Sequence, residues 1–273
     1  MMWKESVTTV LSSILITLFI FLMHCGPKVN RAELDADAYF KYAKKLFDKG
    51  KYYDAGTEFG VIVLKFSGDP IVDDAQFYLG ESHFNQEEYL IAVAEYQKLI
   101  EDYPESPYVE QAFYKIGLSY MNMSQRPSLD QQYSHQALRN FQNFIEAYPN
   151  SSYRPDAEEC IKKLRNKLAK KKLLGANVYR KMGIYDSAII YYDIVLDDYY
   201  DTPSAESALY YKSICQMKLK KYEEALSGFT VFLEKYPNSK YANDAKEKIG
   251  DIQEILNKVS LSNNSSNSSD PHD

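Results

Sequence analysis

Gly80-Glu-Ser-His-Phe-Asn-Gln-Glu-Glu-Tyr-Leu-Ile-Ala-Val-Ala-Glu-Tyr-Gln-Lys-Leu-Ile-Glu-Asp-Tyr-Pro104 carries the pattern that decides the fold. Gly80 opens it; Ala92 follows twelve positions on, with Tyr89 three before it, Tyr96 four after and Pro104 twelve after. The next small residue, Gly117, lies twenty-five beyond Ala92, so the period is 37 residues. The same register holds Ala43, Gly80, Gly117, Ala176, Ser213 and Gly250 as small residues, and Ala55, Ala92, Ala188 and Ala225 as the alanines. Self-similarity at that scale marks a solenoid of helical hairpins.

Packing explains the residue types. Two antiparallel helices approach to about 8–10 Å only where a side chain gives way. Phe59, Tyr96, Phe141, Tyr192 and Phe229, four after each alanine, fill the space beside the crossing. Proline stops the second helix and the Ser after it can cap the next. Pro104, Pro149 and Pro237 stand in Tyr-Pro-Glu-Ser, Tyr-Pro-Asn-Ser and Tyr-Pro-Asn-Ser, whereas repeats one and four delay the proline by three residues, to Pro70 and Pro203. The register breaks twice. Ala137 follows Gly117 by twenty, an insertion of eight residues within Asn122 to Ser134, a polar stretch expected to be a loop. Ala137 to Ala176 is 39 residues, an excess of fourteen that predicts one helix about four turns longer, roughly 21 Å.

The predicted fold is all-α: a right-handed solenoid of five tetratricopeptide-like hairpins with a polar C-terminal capping helix from about Tyr241 to Lys258. The expected segments are a signal at 1–24, a lipidated tether at 25–36, repeats one to three at 37–152, the long helix, repeats four and five and the cap at 153–259, and a disordered Ser/Asn-rich tail at 260–273. Val7 to Met23 is uncharged, preceded by Lys4 and followed by Cys25-Gly26-Pro27. A cysteine directly after a secretory signal makes Cys25 a lipidation site, although His24 is unusual before it; an uncleaved membrane anchor is the other reading. Both tether the domain to a membrane, outside the cytoplasm.

A net charge of −6 is poorly suited to nucleic acid. Cys160 and Cys215 are expected to be free and buried. His24, His83, His135 and His272 are scattered, and no phosphate loop, nucleophile elbow or HExxH occurs, so no enzyme, cofactor or metal site is expected. Function then rests on surfaces. Phe40, Phe77 and Tyr114 recur at 37-residue steps, with Phe47, Phe84 and Met121 seven residues later and Lys44, Glu81, Asn85 and Asn122 beside them. They either line a peptide groove on the first helices or pack against the following repeat. Lys162, Lys163, Arg165, Lys167, Lys170, Lys171 and Lys172 put seven cations in eleven residues without an acid. This run reads as a solvated face or as a surface for an acidic partner or lipid head groups.

From about Ala38 to Lys258 the chain resembles the BamD family, tetratricopeptide lipoproteins of the outer-membrane β-barrel assembly machine. The resemblance is carried by Asp130-Gln-Gln-Tyr, Ala137-Leu-Arg-Asn-Phe-Gln-Asn-Phe-Ile-Glu-Ala-Tyr-Pro-Asn-Ser, Asp156-Ala-Glu, Leu164-Arg-Asn-Lys-Leu-Ala-Lys, Val178-Tyr-Arg-Lys-Met-Gly and Tyr185-Asp-Ser-Ala-Ile, with the insertion and the long helix together. It implies a non-enzymatic scaffold anchored at the outer membrane and facing the periplasm. Its implied partners are unfolded outer-membrane proteins, at the repeats holding Phe40, Phe77 and Tyr114, and the Omp85-type barrel BamA, near Tyr185 to Tyr241. A periplasmic adaptor for cell-wall or envelope-constriction proteins is the alternative of similar architecture.

Overall fold

The computed structural model describes residues 30–267, with side chains described through 261. After a 3-10 turn at Arg31–Glu33 come α1 (Ala36–Asp48), α2 (Tyr52–Lys65), α3 (Val72–Asn85), α4 (Tyr89–Asp102), α5 (Val109–Met123) and α6 (Gln132–Ala147). They are followed by α7 (Arg154–Lys181), α8 (Tyr185–Asp198), α9 (Ser204–Lys218), α10 (Tyr222–Lys235) and α11 (Ala242–Asn267). Every helix packs on the next, giving five hairpins and a final helix, with no strand among the described residues. This is the tetratricopeptide-type solenoid that the period implies. The first helices also meet directly, α1 with α3, α5 with α7 and α7 with α9, as elements on the inner side of a curved stack do.

The small residues sit at the crossings. A Cβ added to Gly80 would lie 2.7 Å from the Tyr96 ring, and one added to Gly117 would lie 2.7 Å from Phe141. Both rings are fully buried, as are Ala43, Ala176 and Ser213. Gly250 is the exception. Nothing lies within 4 Å of its added Cβ, because among the described residues no helix follows α11 for it to cross.

Hairpin turns share one geometry. In four of them a left-handed residue follows the first helix, Gly50, Glu87, Gly183 or Lys220, with φ between 62° and 77°. The next amide then bonds back into the helix, as Lys51 N–H does to the Leu46 carbonyl at 3.0 Å. That bond satisfies a carbonyl the helix end leaves open.

The connections between hairpins are two consecutive turns. Ser106 N–H donates to the Tyr103 carbonyl and Val109 N–H to the Ser106 carbonyl, and the same pair recurs at Phe66/Asp69/Val72, Tyr148/Ser151/Arg154, Tyr199/Thr202/Ala205 and Tyr236/Ser239/Ala242. Pro104, Pro149 and Pro237 occupy the second position of the first turn, and Pro70 and Pro203 the second position of the second. The three-residue delay is therefore one turn, and proline's fixed φ suits either site. In the three Tyr-Pro junctions the Ser hydroxyl accepts the amide two residues on, Tyr108 (3.3 Å), Tyr153 (3.0 Å) and Tyr241 (3.0 Å).

Both breaks in register are borne out, and they touch. The insertion is the loop 124–131, and α7 is 28 residues long, about 42 Å. Gln131 is buried and donates to the carbonyls of Arg126 (2.9 Å) and Leu129 (3.0 Å), closing the loop on itself. The first half of α7 packs on α6 through Ala157, Cys160 and Leu164, and its second half packs on α8 and α9 through Ala176. Leu168 and Ala169 join the halves against Tyr199. Cys160 and Cys215 are free and buried, and burial pushes the Cys215 thiol up to about 11.

One boundary differs from expectation. The last helix runs to Asn267, into the tail expected to lack structure from residue 260, because extending a formed helix avoids the cost of nucleating a new one. Residues 268–273 and the segment 1–29, including the signal, His24 and Cys25, lie outside the described residues.

Gly117→Ala should destabilise the fold by about 1–3 kcal/mol, since a packed ring must move. Gly250→Ala should stabilise it by up to about 1 kcal/mol through helix propensity alone. Urea unfolding of the two variants separates them. Burial lifts the phenols of Tyr39 and Tyr114 from 10.0 to about 12, so the folded state holds protons that the unfolded chain releases. That contribution is complete below the ordinary tyrosine value and is lost as pH rises toward the folded one. The thermal midpoint should fall between pH 10 and 12 in a series read by circular dichroism.

Candidate functional site

Tetratricopeptide hairpins offer two kinds of surface here: the inner row of first helices, and the long helix α7. On the inner row the structure divides the ten predicted groove residues. Phe77 and Tyr114 are only 3% and 8% exposed. Each stacks almost parallel on the tyrosine that opens the next hairpin, Phe77 on Tyr108 (4.4 Å, 13°) and Tyr114 on Tyr153 (4.9 Å, 16°). Tyr210 does the same with Tyr241 (4.3 Å, 10°). These rings are the mortar between repeats, each pair contributing about 0.5–1.5 kcal/mol beyond its buried area. They line no open groove, and the expectation that they do is corrected. The sequence pattern behind this is a second tyrosine, Tyr-Pro-x-Ser-x-Tyr at 103–108, 148–153 and 236–241.

Phe40, Phe47 and Phe84 are half-buried and remain at the surface. Phe40 and Phe47 converge on Tyr78 at 5.8 and 5.3 Å, and Tyr78 also stacks on Phe59 at 5.5 Å. The Lys44 ammonium sits 5.0 Å from the Tyr78 ring centre and 5.6 Å from that of Phe47, with Asp48 as its ion-pair partner. Lys115 lies 4.5 Å from the Phe84 centroid and 2.8 Å from the Glu81 carboxylate. Glu81 is 9% exposed and accepts from the Tyr96 hydroxyl at 2.5 Å, so it is an internal brace. Burial first, then Glu81, holds the Tyr96 phenol far above its ordinary value. Asn85 is exposed and donates to the Glu81 carbonyl, Met121 packs at the edge of the third core layer, and Asn122 is exposed.

Two clusters result: Phe40 and Phe47 around Tyr78 with Lys44 over the Tyr78 and Phe47 rings, and Phe84 with Lys115 over its ring. Tyr78 and Lys115 escaped the sequence reading because each stands one position beyond the aromatic ladder, Phe77 and Tyr114, that drew attention. In each cluster the cation can meet a carboxylate while the ring beside it takes an apolar side chain.

The basic run on α7 also divides. Lys167 donates to the carbonyl and hydroxyl of Ser124 (3.2 and 2.6 Å), and Lys171 to the carbonyls of Ser128 and Leu129 (3.1 and 3.2 Å). Arg165 binds both carboxylate oxygens of Asp201 (3.1 and 2.5 Å) and the Asp198 carbonyl (2.8 Å), and faces the Tyr199 ring at 5.5 Å. The Arg165 hydrogen bonds hold Asp201 below the usual carboxylate value, and burial lowers Lys167. The counter-surface for these three cations is the chain itself, the inserted loop and the next junction. Lys172 is half-buried, while Lys162, Lys163 and Lys170 are exposed, Lys163 lying 3.8 Å from Glu159.

A solenoid of such hairpins belongs to the class of tetratricopeptide-type helical-repeat proteins. Residues 32–222 and 215–264 match the family model YfiO, described as an outer membrane lipoprotein. The chain belongs to that family. It is 28% identical over 247 residues to the outer membrane protein assembly factor BamD of Rickettsia prowazekii, covering 90% of this chain and 98% of that protein. Among solved structures it is similar to the TPR2AB-domain:pHSP90 complex of yeast Sti1, with a TM-score of 0.43, 15% identity, and 83% and 86% of the two chains covered. The MamA protein is another, with a TM-score of 0.34, 19% identity, and 76% and 94% covered.

Lys167→Ala combined with Lys171→Ala should free the inserted loop while leaving overall helicity unchanged. The Leu129 amide, bonded to the Arg126 carbonyl at 3.0 Å, should exchange severalfold faster in hydrogen–deuterium exchange.

Proposed function

We propose that this chain is a non-enzymatic, lipid-anchored scaffold of outer-membrane β-barrel assembly. It is held at the outer membrane through Cys25, faces the periplasm, and binds both unfolded barrel proteins and a BamA-like partner of the Omp85 type. Family membership and the end-to-end match to a BamD support this reading. The observation that carries the binding role is a pair of half-buried aromatic–cation clusters on the first helices, Phe40, Phe47 and Tyr78 with Lys44, and Phe84 with Lys115. An extended segment ending in an aromatic residue and a carboxylate matches the ring and the cation of such a cluster. Pre-formed rings hold the site rigid, so binding costs little side-chain ordering. The solvent-facing cations of the basic run, Lys162, Lys163 and Lys170, and the surface from Tyr185 to Tyr241 are left for the barrel partner.

Purification from mild detergent tests the assignment: an Omp85-type barrel should co-purify, whereas cell-wall enzymes alone would replace it with the adaptor reading. Lys44→Glu with Lys115→Glu should weaken binding of a barrel-protein C-terminal peptide about tenfold or more by fluorescence anisotropy, two reversed charges outweighing about 1.4 kcal/mol. Unchanged affinity with intact helicity would remove the peptide site from this surface.

A further inference from the structure

At its last turn the outward face of α2 departs from its equivalents in every other repeat. Nine residues after each alanine of the second helix, the chain places Leu64, Glu101, Glu146, Asp197 and Glu234. All five are exposed, so four hairpins show water a carboxylate where the first shows a leucine, 80% exposed. On the same face Tyr53 is 76% exposed, Val61 is 37% exposed, and Thr57 and Gly60 fill the space between. The equivalents of Tyr53 run Leu90, His135, Asp186 and Glu223, so that position too turns polar with distance from the first hairpin, while those of Val61 run Lys98, Asn143, Ile194 and Val231. Internal repeats act as the control: nothing in hairpin packing requires an apolar residue there.

The first hairpin is also where the chain enters. Arg31 pairs with the buried Glu58 of α2, and Lys65 donates to the Ala32 carbonyl at 3.5 Å. The entering segment therefore runs along α2, on the flank beside Val61. Cys25 precedes Asn30 by five residues, at most about 18 Å of extended chain. An anchor at Cys25 cannot hold this hairpin far from a bilayer. Exposed Lys51 and Lys65 flank the apolar face, as in helices that lie in the head-group region. No described helix is long and apolar enough to cross a membrane.

We propose that the outward face of α2, through Tyr53, Val61 and Leu64, rests in the surface of the bilayer that holds the N-terminal lipid, fixing the solenoid's orientation to the membrane. This rests on the lipid-anchor reading above. Its test is a nitroxide attached at Leu64→Cys in the full lipidated chain, in vesicles of phosphatidylethanolamine and phosphatidylglycerol, compared with labels at Glu101→Cys and Glu146→Cys. Cys160 and Cys215 are buried and spare the labelling. The ratio of collisions with oxygen to collisions with an aqueous nickel chelate should be severalfold higher at 64 than at 146. An equal ratio, in a chain that still sediments with the vesicles, overturns the docking and leaves the anchor standing. A label at 64 shielded from both reagents means that protein covers the face, which also overturns it. A chain that does not sediment with the vesicles sinks anchor and docking together.

Discussion

Ring against glycine is the contact on which the stack depends. Tyr96 lies where a Gly80 side chain would be, and Phe141 where one on Gly117 would be, so α4 and α6 reach their partners by pressing an aromatic face onto bare backbone, and the other crossings allow only Ala43, Ala176 or Ser213. That contact sets the spacing within a hairpin. The near-parallel pairs Phe77–Tyr108, Tyr114–Tyr153 and Tyr210–Tyr241 then set the step from one hairpin to the next. Because each core layer is shared between a second helix and the following first helix, the solenoid has no single centre, and its stability is a sum of neighbour terms.

Within this regular stack the two irregularities act as one device. A mostly polar eight-residue loop has little to bury, and an eleven-residue stretch of helix bearing seven cations repels itself. Laid together, the loop's carbonyls receive Lys167 and Lys171, and Gln131 closes the loop from within. The middle of α7 is thereby braced where it leaves α6 and has not yet been fully enclosed by α8 and α9. Arg165 adds a second brace to Asp201 across the junction. The first three hairpins and the last two are joined through one continuous helix rather than through a flexible linker.

Function inherits this geometry as surface. The inner row keeps Phe40, Phe47, Tyr78 and Phe84 half-buried, with Lys44 over Phe47 and Tyr78 and Lys115 over Phe84. The same hairpin that contributes Phe40 and Lys44 also carries the apolar outward face of α2. The proposed polypeptide and lipid surfaces therefore lie on opposite helices of one hairpin.

Helix number, hairpin pairing, the inserted loop and the long α7 were all legible in the sequence, because small residues, alanines and prolines obey a local spacing rule that any antiparallel helix pair must satisfy. The fate of individual aromatics was not. Phe77 and Phe84 look alike in sequence, seven residues apart on one helix, yet only Phe77 meets Tyr108 and disappears. Period locates a residue on a helix face; it does not say whether the neighbouring hairpin reaches that face. The basic run shows the same limit, since its partners lie some 40 residues away in the chain, at Ser124 and Ser128, and in the other direction at Asp201. Local spacing therefore determined the architecture, and only the step between hairpins decided which side chains remained for function.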